Sequence, residues 1–383
     1  ALGAARDDAT RSRIVARMAA DEHLRDPARS QELFAEAFRA ARSSGDDVAL
    51  LEALLRHAST LLTPESLELR RHEIDEALPL AIESRDVAAQ YSLFSLRVVT
   101  AIESADLAAA DAAGSDAAHL ASRYDLAPLA WSVRSRRAWR AGLSGCLDDA
   151  ERLVLAARDY GKDHGIIYAE TGALLQLAML RWQQGRAHEA VDLARNNAEQ
   201  LAQLPALRLL LARALATTSD GRDEARDIVV ELGPNAFEAL PRTTFWSTAL
   251  IATAETALHL EMPDAARTIL RLLEPYVDQV AVPGNWVVAP IAHGAAVAAA
   301  VVGDRRAPEL FERAIAIADR LEAPVLRARS ELAWLLATRE CDNSQRPAHP
   351  AELSHHITAT AEAAGLRHMS AFARKLERES TAH

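Results

Sequence analysis

The chain has 383 residues, half of them hydrophobic but only 5% aromatic, so a core must be built mostly from Ala, Leu and Val, and an all-α protein is the natural reading. A net charge of −11 excludes a global attraction to nucleic acid or to an anionic membrane. The two cysteines, Cys146 and Cys341, form neither a CxxC pair nor a disulfide framework, which fits a reducing cytoplasm.

The opening stretch, ALGAARDDATRSR, has no initiator methionine and no apolar signal core, and it reads as the edge of an excised fragment or a processed chain. A first helix is expected over Ala9–Glu22. Asp26-Pro27 then opens a second, with Asp as N-cap and Pro in the first turn, and Gly45 ends it. Asp47–Leu62 is a third. Thr63-Pro64 repeats the cap-plus-proline start for a helix running toward Glu83, with a kink or early end expected at Pro79.

From there a cadence sets in. An apolar helix, a short turn, and a helix entered through acidic or small residues recur, with turns beginning at Ala105, Gly145, Gly185, Asp220, Glu261 and Gly303. The intervals are 40, 40, 35, 41 and 42 residues, the mark of a helical repeat array. Ala173–Leu204 is the clearest copy. Gly185 ends one helix, and Ala190 lets the next cross it closely. This G-x-x-x-x-A core, followed by a larger apolar residue, is that of the tetratricopeptide repeat. The last copy, Gly303 to Ala307, is one residue shorter, but Phe311 and Ala314 keep their places.

Pro275–Pro290 is the longest stretch without a helical pattern. Cys341–Pro350 is a polar break before a terminal helix pair, Ala351–Ala364 and Leu366–Arg378. The expected architecture is a right-handed superhelical solenoid of about nine degenerate tetratricopeptide-like hairpins with a period of about 40. Residues 1–340 form the array, and 341–383 form a polar break and a C-terminal capping hairpin of the same solenoid. The longest apolar run, Ala295–Val302, is far short of the roughly 20 residues that span a membrane.

Phe237–Cys341 resembles the C-terminal helical region of large bacterial regulators that carry a STAND-type P-loop NTPase. Their output modules are LuxR-type or SARP-type DNA-binding domains or nucleotide cyclases. The likeness rests on Phe237, Leu240, Pro241 and Arg242, on Trp246, on Leu272, Pro275 and Tyr276, on His293-Gly294, and on the repeat from Phe311 to Trp334. It implies the sensor or scaffold part of a transcriptional or signalling regulator, acting with an attached or partner NTPase or output domain. The chain has no GxxxxGK[ST] and no evident helix-turn-helix of its own.

No catalytic or metal signature emerges, and no cofactor is expected. His349, His355, His356 and His368 lie near Glu352, but there is no HExxH, no DxDxDG loop and no cysteine pair. Cys146 follows a turn glycine at a helix N-terminus, and it reads as a small turn residue. Asp148-Asp149 and Asp223-Glu224 complement helix dipoles.

Binding is the better-supported role. Arg134, Arg136, Arg137 and Arg140 share one helix with Trp131 and Trp139, while residues 98–122 hold four acids and no base. Three readings stand: charge complementarity between neighbouring helices, an anion or acidic-peptide site, and DNA binding, which the net charge disfavours. Polar and aromatic residues of the first helices form a second set, because such helices line the concave face of these arrays. The candidate site residues are Arg134, Arg137, Tyr168, Gln176, Trp246, Asn285, Trp286 and His293, the two loop residues Asn285 and Trp286 covering a pocket. The expected function is a non-enzymatic sensor or interaction module that holds a small effector, a peptide or a protein domain in its groove. A scaffold for self-association, with a homodimer as product, is the alternative, and a helical enzyme stands third. No contact with nucleic acid or membrane is expected of this chain.

Overall fold

The computed structural model describes residues 7–197, 205–284, 286–338 and 346–381. Among these the protein is all-α apart from one two-residue antiparallel pair, Val280–Ala281 with Ala289–Pro290. None of the described helices is long and apolar enough to cross a membrane.

Local chemistry sets the first helix starts. Asp7, Asp26 and Asp46 cap the helices Asp8–Glu22, Pro27–Ser44 and Asp47–Thr60. Each carboxylate accepts a backbone N–H of the first turn: Thr10 at 2.7 Å, Arg29 at 2.9 Å, and both Val48 and Ala49 at 2.9 and 3.0 Å. Thr63 departs from the expectation, since its hydroxyl meets Ser66 Oγ at 3.1 Å and caps no backbone group. A 3-10 turn, Pro64–Ser66, precedes the helix Leu67–Glu83, which runs through Pro79 without ending. Proline there removes one helical hydrogen bond at a cost of about 3 kcal/mol. Burial of Ile74, Ala77, Leu78 and Ala81 along the same face offsets it.

The turns share one backbone device. Arg85, Ala105, Asp125, Gly145, Gly165 and Gly185 all have left-handed φ, between 45° and 86°, and they follow one another at twenty-residue intervals. Each stands between two helices. Glycine takes this conformation freely, whereas Arg, Ala and Asp are strained by roughly 1–2 kcal/mol. The strained positions persist because packing of the helices on either side over-determines the turn.

Contacts divide the chain into two compact units. The first comprises Ala1–Ala101 and Ala108–Ala130. In it Asp8–Glu22 packs on Pro27–Ser44 and Asp47–Thr60, and Asp47–Thr60 on Leu67–Glu83. Its two apolar clusters centre on Val15, Leu33 and Phe34, and on Leu51, Leu54, Ile74 and Leu93.

The second unit comprises Ile102–Leu107 and Trp131–His383. Its later helices alternate between two rows. In one row Pro205–Ala216, Trp246–Leu260, Ile291–Val301 and Pro324–Ala337 pack each on the next. In the other, Arg222–Glu238 packs on Pro263–Leu273. The rows differ as their sequences demand. Pro263–Leu273 buries only Ala265, Ala266, Ile269, Leu270 and Leu273, one amphipathic stripe. Trp246–Leu260 and Ile291–Val301 are buried on nearly every side and are correspondingly rich in small residues, Ala and Thr in the first and Ala in the second. Backbones in this row approach closely: a Cβ on Gly294 would stand 2.7 Å from Ile251 Cγ1. The terminal helices Pro350–Ala363 and Arg367–Thr381 pack on each other, and the former packs on Pro324–Ala337. Residues 339–345, which include the first half of the expected polar break, lie outside the described residues.

Candidate functional site

Four consecutive helices of the first row each contribute a polar side chain to one buried ladder. Glu255 is its centre. Its Oε1 accepts from Arg329 Nε at 2.7 Å and lies 2.9 Å from His293 Nε2. Arg213 Nη1 stands 3.5 Å from Oε2, an ion-pair distance without hydrogen-bond geometry. Ser330 Oγ lies 3.0 Å from His293 Nδ1. A carboxylate can only accept, so His293 carries a proton on Nε2; Ser330 Oγ, beside Nδ1, also donates to the Leu326 carbonyl at 3.2 Å. Arg329 also donates to the Val288 carbonyl at 2.9 Å, which ties the irregular loop to the row.

Burial governs the ionisation of this group. It pushes the Glu255 carboxyl upward, but the Arg329 charge, the His293 hydrogen bond and the Arg213 charge outweigh it and hold the carboxyl well below the ordinary range. Burial lowers His293, and the two arginines add to that against the opposing pull of Glu255, so the ring is neutral. Burial also lowers Arg213 to about 9, which leaves it charged at neutral pH. Two guanidinium groups therefore face one carboxylate. The next carboxylate along the Pro324–Ala337 helix, Glu331, is held by Arg327 at 2.9 Å and His356 at 2.6 Å.

Arg213 is poorly satisfied for a buried cation. It is 2% exposed, and Nε and Nη1 have no hydrogen-bond partner. Nη2 reaches only the Met179 sulfur at 3.5 Å, a weak acceptor. Its Cζ lies 3.6 Å from the centre of the Trp182 ring, and that of Arg329 lies 4.6 Å from it.

Arg213 and Trp182 line a cleft with about 770 Å³ of space between its walls, the open solvent at its mouth included. The walls come from the helices Ala169–Gln183, Ala187–Arg195 and Pro205–Ala216. They are almost wholly apolar, with Leu174, Leu175, Leu193, Leu210 and Leu211 only half-buried. Phe245, Pro283 and Trp286 close one side. The Trp286 loop is pinned by the Val280–Ala281 and Ala289–Pro290 pair and by Thr244, whose hydroxyl donates to the Val282 carbonyl at 3.2 Å and accepts from Gly284 N at 3.2 Å. On its other flank the Trp286 indole lies against Gly142, where a Cβ would come within 2.7 Å of it. Trp286 Nε1 is buried without a partner.

The residues singled out from sequence have different fates. Trp286 lines the cleft and His293 joins the ladder. Gln176 is buried and bridges two helices, meeting Ser135 Oγ at 3.5 Å and the Ser135 carbonyl at 3.4 Å. Trp246 is fully buried under Arg242, whose Cζ is 3.8 Å from the ring, with Tyr276 at its edge. Tyr168 is half exposed and stands edge-on to Trp131 at 5.0 Å. Arg134 stacks over Tyr160 at 3.9 Å, and Arg137 is exposed with no ion pair among the described residues. Arg140 of the same helix lies 3.6 Å from Glu322. Asn285 lies outside the described residues. Cys146 is exposed and free at the start of the helix Leu147–Asp163. Among the described residues no three His, Cys, Asp or Glu side chains are grouped to hold a metal; His349 lies 3.9 Å from Glu352, both exposed, while His356 is taken by Glu331.

Sequence reasoning missed Arg213, Glu255 and Arg329. Arg213 and Glu255 are each a lone charge in an apolar stretch, LLLARALA and IATAETAL, and that isolation was the available signal; Arg329, between Arg327 and Glu331 in PVLRARSE, carried none.

No known family model matches the chain, and no curated protein matches it.

Proposed function

We propose that the chain is a binding module that takes an effector into the cleft between Trp182, Arg213 and Trp286, and that it acts through binding, with no chemistry of its own. One observation carries the reading: a half-open apolar cleft in a tightly packed unit reaches a buried, under-satisfied cation. Exposed apolar concavities with a few polar groups are what small-molecule sites are made of. A cation buried without acceptors is costly unless something offsets it.

The cleft also suits transmission. Arg213 belongs to the ladder that links four successive helices, so a ligand touching it bears on Glu255 and, through Glu255, on Arg329 and His293. The recurrent left-handed turns and the alternating rows support the further reading of the chain as a degenerate tetratricopeptide-like solenoid. In such arrays small changes at each helix interface add along the stack. The likeness of Phe237–Cys341 to the helical regions of STAND-type regulators supports a sensor role in transcription or signalling, in the cytoplasm, with an NTPase or output domain as the partner that the bound state biases.

The test is thermal melting of the chain with the neutral apolar dye N-phenyl-1-naphthylamine, whose fluorescence rises in apolar sites. The dye is expected to bind and to raise the melting temperature. Ala194→Trp, which fills the cleft from one wall, is expected to abolish both effects while keeping the helical circular dichroism. Equal dye binding by the filled variant would reject the cleft as the site.

A further inference from the structure

The cleft has a chemical bias that its apolar walls conceal. Every unpartnered polar atom on its lining that lies buried is a donor: Arg213 Nε and Nη1, and Trp286 Nε1. Nothing on the lining offers a matching buried acceptor. Glu255 is the nearest carboxylate to Arg213: its Oε1 is shared by Arg329 and His293, and its Oε2 stands 3.5 Å from Arg213 Nη1, an ion-pair contact without hydrogen-bond geometry. Glu331 is engaged with Arg327 and His356. The one hydrogen bond that Arg213 makes goes to a thioether. The charge balance points the same way. Two guanidinium groups and one carboxylate leave the buried ladder behind Arg213 with one positive charge in excess, and the neutral His293 does not change that sum.

We infer that the ligand is an amphipathic organic acid, with an apolar body against Leu174, Leu175, Leu210 and Leu211 and a carboxylate against Arg213. The inference rests on the cleft being the effector site and adds the class of effector. A carboxylate supplies what the site lacks: acceptor oxygens for the guanidinium, in the fork geometry that arginine prefers, and one negative charge. The Trp286 indole N–H gives a further donor on the same lining. A neutral apolar compound fills the walls equally well but leaves the donors of Arg213 unmet. A small hydrophilic anion meets the donors but covers none of the half-buried leucines. Both properties must sit in one molecule.

The experiment is displacement of N-phenyl-1-naphthylamine from the full chain by decanoate, by decan-1-ol and by acetate. Decanoate and decan-1-ol have the same apolar length and differ in the head group. The expected result is that decanoate displaces the dye at a concentration at least about tenfold lower than decan-1-ol, equivalent to about 1.4 kcal/mol, and that acetate does not displace it. Arg213→Met is expected to bring decanoate to the level of decan-1-ol without weakening decan-1-ol. Arg213→Lys, which keeps the charge and loses the fork, is expected to fall between the two.

Equal displacement by acid and alcohol in the wild type overturns the acid inference and leaves the cleft reading intact. An undiminished preference for decanoate in Arg213→Met overturns Arg213 as the anchor. Failure of the dye itself to bind overturns the cleft reading, and the acid inference with it. The wild-type comparison and the lysine variant decide the matter even where Arg213→Met does not fold.

Discussion

Two buried arginines, one in each compact unit, have nearly the same burial and opposite surroundings. Arg70 is fully buried in the first unit and donates to oxygen on two sides, from Nε to Thr100 Oγ1 at 3.0 Å and from Nη1 to the Leu61 carbonyl at 2.5 Å. Nearby Glu73 is matched by His57 at 2.6 Å. Burial lowers Arg70 to about 10. Arg213, 2% exposed in the second unit, finds a sulfur and a carboxylate at the edge of contact, and it lines a cleft. The difference separates two uses of a costly residue. Arg70 holds the C-terminal end of a helix to its neighbours, and its hydrogen bonds belong to the fold. Arg213 keeps Nε and Nη1 without hydrogen-bond partners beside a cleft that it helps to line.

The largest expected effect tests the ladder to which Arg213 belongs. Glu255→Gln keeps the shape but leaves Arg329 and Arg213 with no buried anion. Breaking a buried pair from one side costs about 3–5 kcal/mol. Urea unfolding followed by circular dichroism should show a loss of that order, and a loss below about 1 kcal/mol would mean that water already reaches the ladder.

Acidification reaches the same group more gently. The folded-state value of His293 lies below its ordinary 6.5, so the unfolded chain binds that proton first. Its contribution is complete above that value and declines as pH falls through it. Glu255, also depressed, adds a second loss at lower pH, below its ordinary 4.5, as the unfolded chain takes up a proton that the folded carboxylate refuses. His259 and His368, both lowered chiefly by burial, shift in the same direction as His293. Stability measured from pH 8 to pH 4 should therefore fall throughout the acid side. His293→Gln should fall less steeply between pH 7 and pH 5, and an unchanged slope would remove His293 from the account.

The arginines themselves give the direct comparison. Arg70→Met strips two oxygens of their donor and should cost about 2–3 kcal/mol in the same urea assay. Arg213→Met removes a buried cation whose Nε and Nη1 make no hydrogen bond and leaves one guanidinium per carboxylate. It should cost under about 1 kcal/mol, because replacing such a charge by an apolar group of similar volume is often neutral or better. Equal losses at the two positions would mean that Arg213 is as structural as Arg70.

Sequence disclosed the parts of this molecule that local chemistry governs. Asp26-Pro27, Gly45 and Gly185 start and stop helices by themselves, and each sits where its chemistry puts it. The break in helical pattern before Pro290 exposed the Trp286 loop in the same way. Pro79 misled because tertiary burial outweighed a local penalty. The ladder was hidden for a different reason. Glu255 meets Arg329 across 74 residues and His293 across 38, and neither partner alters the periodicity around the other. A lone charge in an apolar helix announces that a partner exists without naming it. The clustered arginines around Arg134 drew more attention by number, yet Arg134 stacks on Tyr160 and Arg140 approaches Glu322.

The smallest expected effect separates those two arginine sets. Arg137 is exposed on a helix surface and makes no ion pair among the described residues, so Arg137→Ala should change stability by less than about 0.5 kcal/mol. The decanoate preference over decan-1-ol should remain that of the wild type, because Arg137 is absent from the cleft lining. Arg213→Met should lose the preference at comparable stability. The pair of variants thus removes one positive charge each from the same unit, one from an exposed helix surface and one from beside the cleft. A loss of preference in Arg137→Ala as large as in Arg213→Met would assign the bias to the overall field of the unit. A loss confined to Arg213→Met assigns it to contact, which is what unmet donors at the floor of a cleft require.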